Sequence, residues 1–90
     1  LKLKLSPDAV HDRRRVIGFL REVNPNAARR ATQTIIQAAA QLAHSPRIGL
    51  ARDGLRELYV PFGDSGYVIQ YRVDADAVVI ARIFHAREER

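Results

Sequence analysis

Asn24-Pro25 falls between two stretches that each space their apolar residues as a helix does, and it leaves no room for a linker. The first stretch opens at Ser6-Pro7-Asp8. Ser6 can cap, Pro7 lacks an N–H where none is needed, and Asp8 meets the positive end of the helix dipole. Ala9, Val16, Ile17, Leu20 and Val23 then keep one face, and Arg13, Arg14, Arg15 and Arg21 take the other. Asn24 and Pro25 repeat the start signal, and Ala28, Ala31, Ile35, Ala38, Ala39 and Leu42 form a second apolar stripe, closed by His44-Ser45-Pro46. Two helices joined this tightly must fold back on each other as a hairpin. The alanines of the second stripe let a neighbouring element approach closely.

The flanking segments read as strands. Leu1 to Leu5 alternates apolar and basic residues. Arg47 to Gly54 reads as a loop, Leu55 to Val60 as a strand, Pro61 to Gly66 as a turn or short loop, and Tyr67 to Val73 as a strand. Asp74 to Ala77 is a tight turn and Val78 to His85 the last strand, rich in β-branched residues. The expected fold is α+β, with order β-α-α-β-β-β and an antiparallel sheet packed against the helical hairpin, as one domain over residues 1–90. Both faces of the last two strands are apolar. One takes the hairpin, and the other is a partner surface or a scatter of exposed valine and isoleucine.

Composition narrows the function classes. The chain has no cysteine, so no disulfide framework and no zinc–cysteine site. It carries no apolar run of the roughly 18 residues that a membrane helix needs, and no signal peptide is visible. It begins at Leu1 and contains no methionine, so at least an initiator is expected upstream. The net charge is +5, from 13 arginines and 2 lysines against 10 acids. Such a field favours a polyanionic partner: nucleic acid, ribosome or an acidic protein segment. The arginine bias suits carboxylate and phosphate forks, although a GC-rich genome produces the same bias. No His or Cys pair stands at metal spacing, so no metal and no cofactor are expected. Asp8, Asp12 and Glu22 offer no paired-carboxylate geometry.

An ordered set of motifs resembles the RelE/ParE superfamily of bacterial toxins along nearly the whole chain. It comprises Leu5-Ser6-Pro7-Asp8-Ala9, Asn24-Pro25-Asn26-Ala27-Ala28-Arg29, Leu42-Ala43 with Pro46 and Gly49, Gly54-Leu55-Arg56-Glu57-Leu58, Gly66 to Val73 and Val79 to Arg87. The resemblance implies a compact α+β cytoplasmic toxin of a type II toxin–antitoxin system. A cognate antitoxin would lay a helix and an extended segment over it, and operator DNA would be reached only through that antitoxin.

The superfamily divides by mechanism. RelE-like members cleave mRNA on the ribosome, whereas ParE-like members poison DNA gyrase. Cleavage through a 2′-OH needs a base, an acid and cations around one phosphate. The nuclease branch places an arginine directly after the Gly-Tyr of the third strand, where this chain has Val68. It alternates two lysines on the preceding strand, where Arg56 and Leu58 stand, and a tyrosine follows its last strand, where Ala86 follows His85. Arg87 matches a family cation, and His85 sits where some nucleases place a catalytic histidine. The remnant resembles the ParE branch and plasmid-stabilisation sequences, as do Tyr71-Arg72-Val73 and Arg56-Glu57-Leu58.

The expected activity is therefore gyrase inhibition by protein binding. Arg56, Arg72, Arg82 and Arg87, with the segment Arg82 to Arg90, are the contact candidates for target or antitoxin. The alternatives are a ribosome-dependent endoribonuclease using His85, Arg87 and Arg56, aided by Arg72 and Arg82, or a degenerate toxin that only binds its antitoxin. If adjacent strands pair with odd residue sums, Arg56 and Arg82 share one sheet face while Arg72 and His85 share the other. The competing role for the arginines is salt bridging to Glu57, Asp74, Asp76 or Glu88. Tyr59, Tyr67 and Tyr71 are expected to pack in the core with their hydroxyls bonded at its rim, rather than to stack on bases.

Overall fold

A computed structural model describes residues 1–88. Strand β1 spans Lys2–Leu5, helix α1 Pro7–Val23 and helix α2 Pro25–His44, followed by β2 Leu50–Arg52, β3 Leu55–Phe62, β4 Ser65–Val73 and β5 Ala77–His85. The sheet order is β1-β5-β4-β3-β2. The α+β class and the helical hairpin are as the sequence indicates.

The hairpin turns on one residue. The Asn24 N–H donates to the Leu20 carbonyl at 2.7 Å, closing α1, while its side-chain oxygen accepts from the Ala27 N–H at 3.0 Å, opening α2. Ser6 acts twice at the other end of α1. It accepts from the Ala9 N–H at 3.0 Å as the cap, and its hydroxyl donates to the Ala81 carbonyl at 2.8 Å, tying the start of the helix to β5. Alanines 9, 28, 31, 38 and 39 are buried with Val16, Ile17, Ile35 and Leu42 against Val60, Tyr67, Ile69, Tyr71, Val78, Ile80 and Ile83 of the sheet. Val23 departs from its expected place, because it is exposed at the C-terminal end of α1.

Two features of the sheet differ from the sequence reading. First, β1 pairs parallel with β5, so the sheet is mixed rather than wholly antiparallel. A parallel pair needs a long crossover, which the intervening helices and strands supply. Second, the segment read as a loop contains β2, an edge strand antiparallel to β3. Its turn is Asp53-Gly54, with φ of 50° and 81°, the backbone of a two-residue hairpin that Asp-Gly favours. Residues 50–52 are all exposed and show no alternation, so only the turn signals this strand.

The Pro61 to Gly66 segment also tightens. Strand pairing continues through Phe62↔Ser65, leaving only Gly63-Asp64 as the turn, with Gly63 at φ 61°. Pro61 is tolerated within β3 because β2 has already ended, so its missing N–H faces no strand.

Tyr71 anchors the connection from α2 to β2. Its hydroxyl donates to the Pro46 carbonyl and accepts from the Gly49 N–H, both at 2.8 Å. A Cβ on Gly49 would lie 2.5 Å from that oxygen. Tyr71→Phe leaves the Gly49 N–H without its partner, and the expected loss is about 1–3 kcal/mol. Gly49→Ala should also destabilise, by steric conflict. Thermal or urea unfolding checks both, and a Tyr71→Phe variant of wild-type stability would refute the anchoring role.

Candidate functional site

Register decides which side chains meet. On β3 and β4, Arg56 faces Tyr71, an odd sum as anticipated. On β4 and β5, however, Gln70 faces Arg82 while Tyr71 faces Ile80, so a bulge inserts Ala81. The extra residue flips everything beyond it. Arg56 and His85 therefore belong to the helix-side face, and Arg72 and Arg82 to the open face. This corrects the expected pairing of Arg56 with Arg82 and of Arg72 with His85. The bulge sits where β1 ends, with the Ser6 N–H donating to the Ile80 carbonyl at 2.9 Å and the Ser6 hydroxyl held on Ala81.

Each candidate has partners in its own chain. Arg56 donates to the carbonyls of Gly49 at 2.8 Å and Arg47 at 3.3 Å, bracing the loop that Tyr71 anchors. Arg72 pairs with Asp74 at 3.3 Å, the partner anticipated from the sequence, and Arg87 with Asp64 at 3.8 Å. These two pairs are exposed and hold their arginines weakly. His85 Nδ1 accepts from the Arg87 N–H at 3.1 Å, and its ring meets Tyr67 edge-on at 5.6 Å between centroids. Tyr67 and Tyr71 are buried as expected, and burial pushes the Tyr67 hydroxyl pKa up. Tyr59 instead is exposed, in register with Val68 and, through it, Phe84 on the open face. Of the segment Arg82 to Arg90, residues Glu89 and Arg90 lie outside the described residues.

The residue that sequence reasoning passed over is Asp12. It is the buried charged side chain of the described residues, at 1% exposure. Arg82 grips it twice, Nε to Oδ2 at 2.7 Å and Nη2 to Oδ1 at 3.1 Å. The Ile83 N–H donates to Oδ2 at 2.9 Å, and Arg15 Nη2 to Oδ1 at 3.2 Å. A signal for this was present, because Asp12 interrupts the apolar stripe between Ala9 and Val16, where a solvated acid does not belong. The bulge is what directs Arg82 to it, and the same guanidinium lies 4.7 Å over the Phe84 ring. The other end of Arg15 holds Glu88, Nη1 to both carboxylate oxygens at 2.7 and 2.8 Å, and Glu88 also accepts from the His85 N–H at 3.0 Å.

Beside this network lies a groove of about 670 Å³ between α1 and the β3–β4 turn. Phe19, Leu20 and Phe62 give it apolar walls, and Tyr67, His85, Arg15 and Glu88 also line it. Phe19 is 72% exposed. No group of three or more metal-ligating side chains occurs among the described residues, and no helix of the described residues is long and apolar enough to cross a membrane.

A family profile described as the ParE toxin of the type II toxin–antitoxin system parDE matches residues 3–90. The chain belongs to the ParE toxin family. Within the wider RelE/ParE superfamily, it is 46% identical over 89 residues to Toxin RelE3 of Caulobacter vibrioides, covering 98% of this chain and 97% of that protein. It is 37% identical over 87 residues to Toxin RelE1 of the same organism, covering 96% and 94%. The fold of the toxin is similar to that of a chain from the chromosomal ParDE system of P. aeruginosa, with TM-score 0.76, 21% identity and coverage of 94% and 95%. It is also similar to a chain of the intact E. coli RelBE toxin–antitoxin complex, with TM-score 0.66, 18% identity and coverage of 97% and 98%.

The network makes a prediction for acid stability. Burial works to raise the Asp12 pKa, but the Arg82, Ile83 and Arg15 hydrogen bonds overcome it and lower the pKa from 3.8 to about 2. A carboxylate with a depressed folded pKa stabilises fully above its unfolded value, and that stability is lost as pH falls through the folded one. The toxin should therefore lose about 2 kcal/mol between roughly pH 4 and pH 2 from this group alone. Asp12→Ala, which strands Arg82 and the Ile83 N–H, should cost about 3–5 kcal/mol at neutral pH. Urea unfolding across pH measures both. An Asp12→Asn variant that keeps the wild-type acid dependence would exclude this carboxylate as its source.

Proposed function

We propose that this toxin acts as ParE-like toxins do, inhibiting DNA gyrase by protein binding, and that a cognate antitoxin neutralises it. The observation that carries this reading is the dispersal of the nuclease candidates. Cleavage of a ribose–phosphate backbone needs its acid, base and cations within hydrogen-bonding reach of one phosphate. His85 and Arg56 are in register with Tyr67 and Tyr71, so they stand four residues apart along β4, about 13 Å at a strand's rise of about 3.3 Å per residue. Arg72 and Arg82 face the other way. Arg82 is committed to a buried carboxylate, and Val68 lies on the open face where the nuclease branch has an arginine. Of the arginines weighed for contact, Arg72 and Arg87 remain in weak exposed pairs, alongside the exposed Arg13, Arg14 and Arg21 of α1 and exposed apolar residues such as Phe19. That is the equipment of a protein-binding surface.

The names of the two Caulobacter relatives favour a second reading, a RelE-like ribosome-dependent endoribonuclease using His85, Arg87 and Arg56. The two readings separate on expression from a tightly repressed promoter. The ParE-like reading expects SOS induction, gyrase-dependent DNA breaks and inhibition of supercoiling by the purified toxin. Codon-phased mRNA cuts without DNA damage would overturn it. His85→Gln adds a second arm. A nuclease using this histidine should lose about 10²–10⁴-fold in rate, whereas a gyrase-binding toxin should keep its toxicity in this variant.

A further inference from the structure

The net charge is not spread over the fold. Residues 13–44 hold six arginines and one glutamate, a balance of +5, which is the net charge of the whole chain. The other residues carry nine basic and nine acidic side chains and cancel. The charged stretch is most of α1 and all of α2. Arg15 within it is committed to Asp12 and Glu88. Arg13, Arg14, Arg21, Arg29 and Arg30 are exposed, and the ion pairs among the described residues involve none of them.

The hairpin gathers these free cations. Arg14 and Arg21 stand two turns apart on one face of α1, about 10 Å at a rise of about 1.5 Å per residue. Gly18 lies between them, where an added Cβ would meet nothing within 4 Å. Because the corner is Asn24 alone, Arg29 and Arg30 return to the level of residues 18 and 19 on α1. Arg29 donates to the Asn26 side chain in the first turn of α2, so its guanidinium lies at the positive end of that helix. No acid occurs in the 20 residues of α2, and its exposed Gln33, Gln37 and Gln41 are uncharged donors. The acid of the stretch is the exposed Glu22, near the corner. From Arg13 to the corner the strip is about 16 Å long, the axial length of about five base pairs.

We propose that this outer face of the hairpin binds the phosphate backbone of duplex DNA without reading its bases, and so touches the DNA that gyrase holds. Arginines and side-chain amides are the groups that take phosphate oxygens. Two helices packed side by side span about 20 Å, too wide for a major groove of about 12 Å, so base edges stay out of reach. A helical protein partner would need a row of apolar anchors, whereas the large apolar side chain that α2 exposes is Ile36. The choice of DNA among phosphate backbones rests on the gyrase reading above; the phosphate chemistry stands without it.

The test is fluorescence anisotropy of a labelled duplex of about 20 base pairs, titrated with the purified full-length toxin from about 50 to 200 mM salt. With about four arginines engaged, wild-type affinity should fall about 10²-fold over that range. Arg14→Gln with Arg21→Gln should lower the slope of log affinity against log salt by about 2. Lys2→Gln with Lys4→Gln removes two exposed charges from β1 instead and should keep the slope. All four positions are exposed, and matching thermal melts verify folding. A wild type that leaves the duplex free at low salt, or a hairpin variant with an unchanged slope, overturns the proposal while the gyrase reading stands on its own test. Tighter binding of single-stranded RNA or of a polyglutamate peptide would make DNA the wrong occupant. In a supercoiling assay the hairpin variant should need about tenfold more protein for equal inhibition. If it inhibits as wild type does, the contact is not made on gyrase and that half of the proposal falls. If wild type binds DNA through this face but leaves gyrase active, the gyrase reading falls and the phosphate contact stands.

Discussion

One buried carboxylate ties the two layers of this toxin together. Asp12 lies on α1, its hydrogen-bond donors come from α1 and β5, and those donors reach on to the open face and to the C-terminal segment. A lone aspartate at this depth would ionise only at great cost. Here four hydrogen bonds from two guanidinium groups and one backbone N–H make the charged form the stable one. Buried ion pairs add little stability over apolar packing of the same shape, but removing one partner is severe. The network therefore specifies how the layers meet more than it strengthens them. It fixes where α1 lies along β5, and so where the groove opens.

The bulge at Ala81 is the counterpart of that carboxylate in the sheet. Without an extra residue, Arg82 would take the helix-side face, where the core packs. With it, Arg82 joins the open face, reaches Asp12 beyond the end of β1, and covers Phe84. Ser6 joins the same arrangement, because it ends β1, caps α1 and holds the bulged carbonyl. Residues far apart in sequence are thus adjusted to one another at a single corner of the molecule.

This corner explains how much the sequence could tell. The helical hairpin was legible because Ser6-Pro7 and Asn24-Pro25 are local signals acting within one turn. Strands β3, β4 and β5 were legible from their β-branched content, with boundaries off by one or two residues where Pro61 and Phe62 continue a strand past its neighbour. Strand β2 was missed because three exposed residues have no period, although Asp53-Gly54 marked its turn. The sheet faces were misassigned because a bulge carries no composition signal of its own, and one inserted residue reverses all that follows. Asp12 was underread for a related reason. Its position inside an apolar stripe calls for a buried cationic partner, but that partner, Arg82, lies 70 residues away along the chain.

The arginine-rich composition admits more than one kind of partner until partners are assigned within the fold. A surface that binds phosphates must keep several cations free and close together. Here Arg82 is bound to a buried acid, Arg56 to backbone carbonyls, and Arg15 to two carboxylates at once. Those three cations serve internal order, while Arg13, Arg14, Arg21, Arg29 and Arg30 stay exposed on the two helices. Exposed positive charge steers an acidic partner towards the molecule, whereas specificity comes from shaped apolar contact. The exposed Phe19 beside the groove supplies such contact, whereas on the opposite face of the sheet only Tyr59 of the Tyr59–Val68–Phe84 row is exposed.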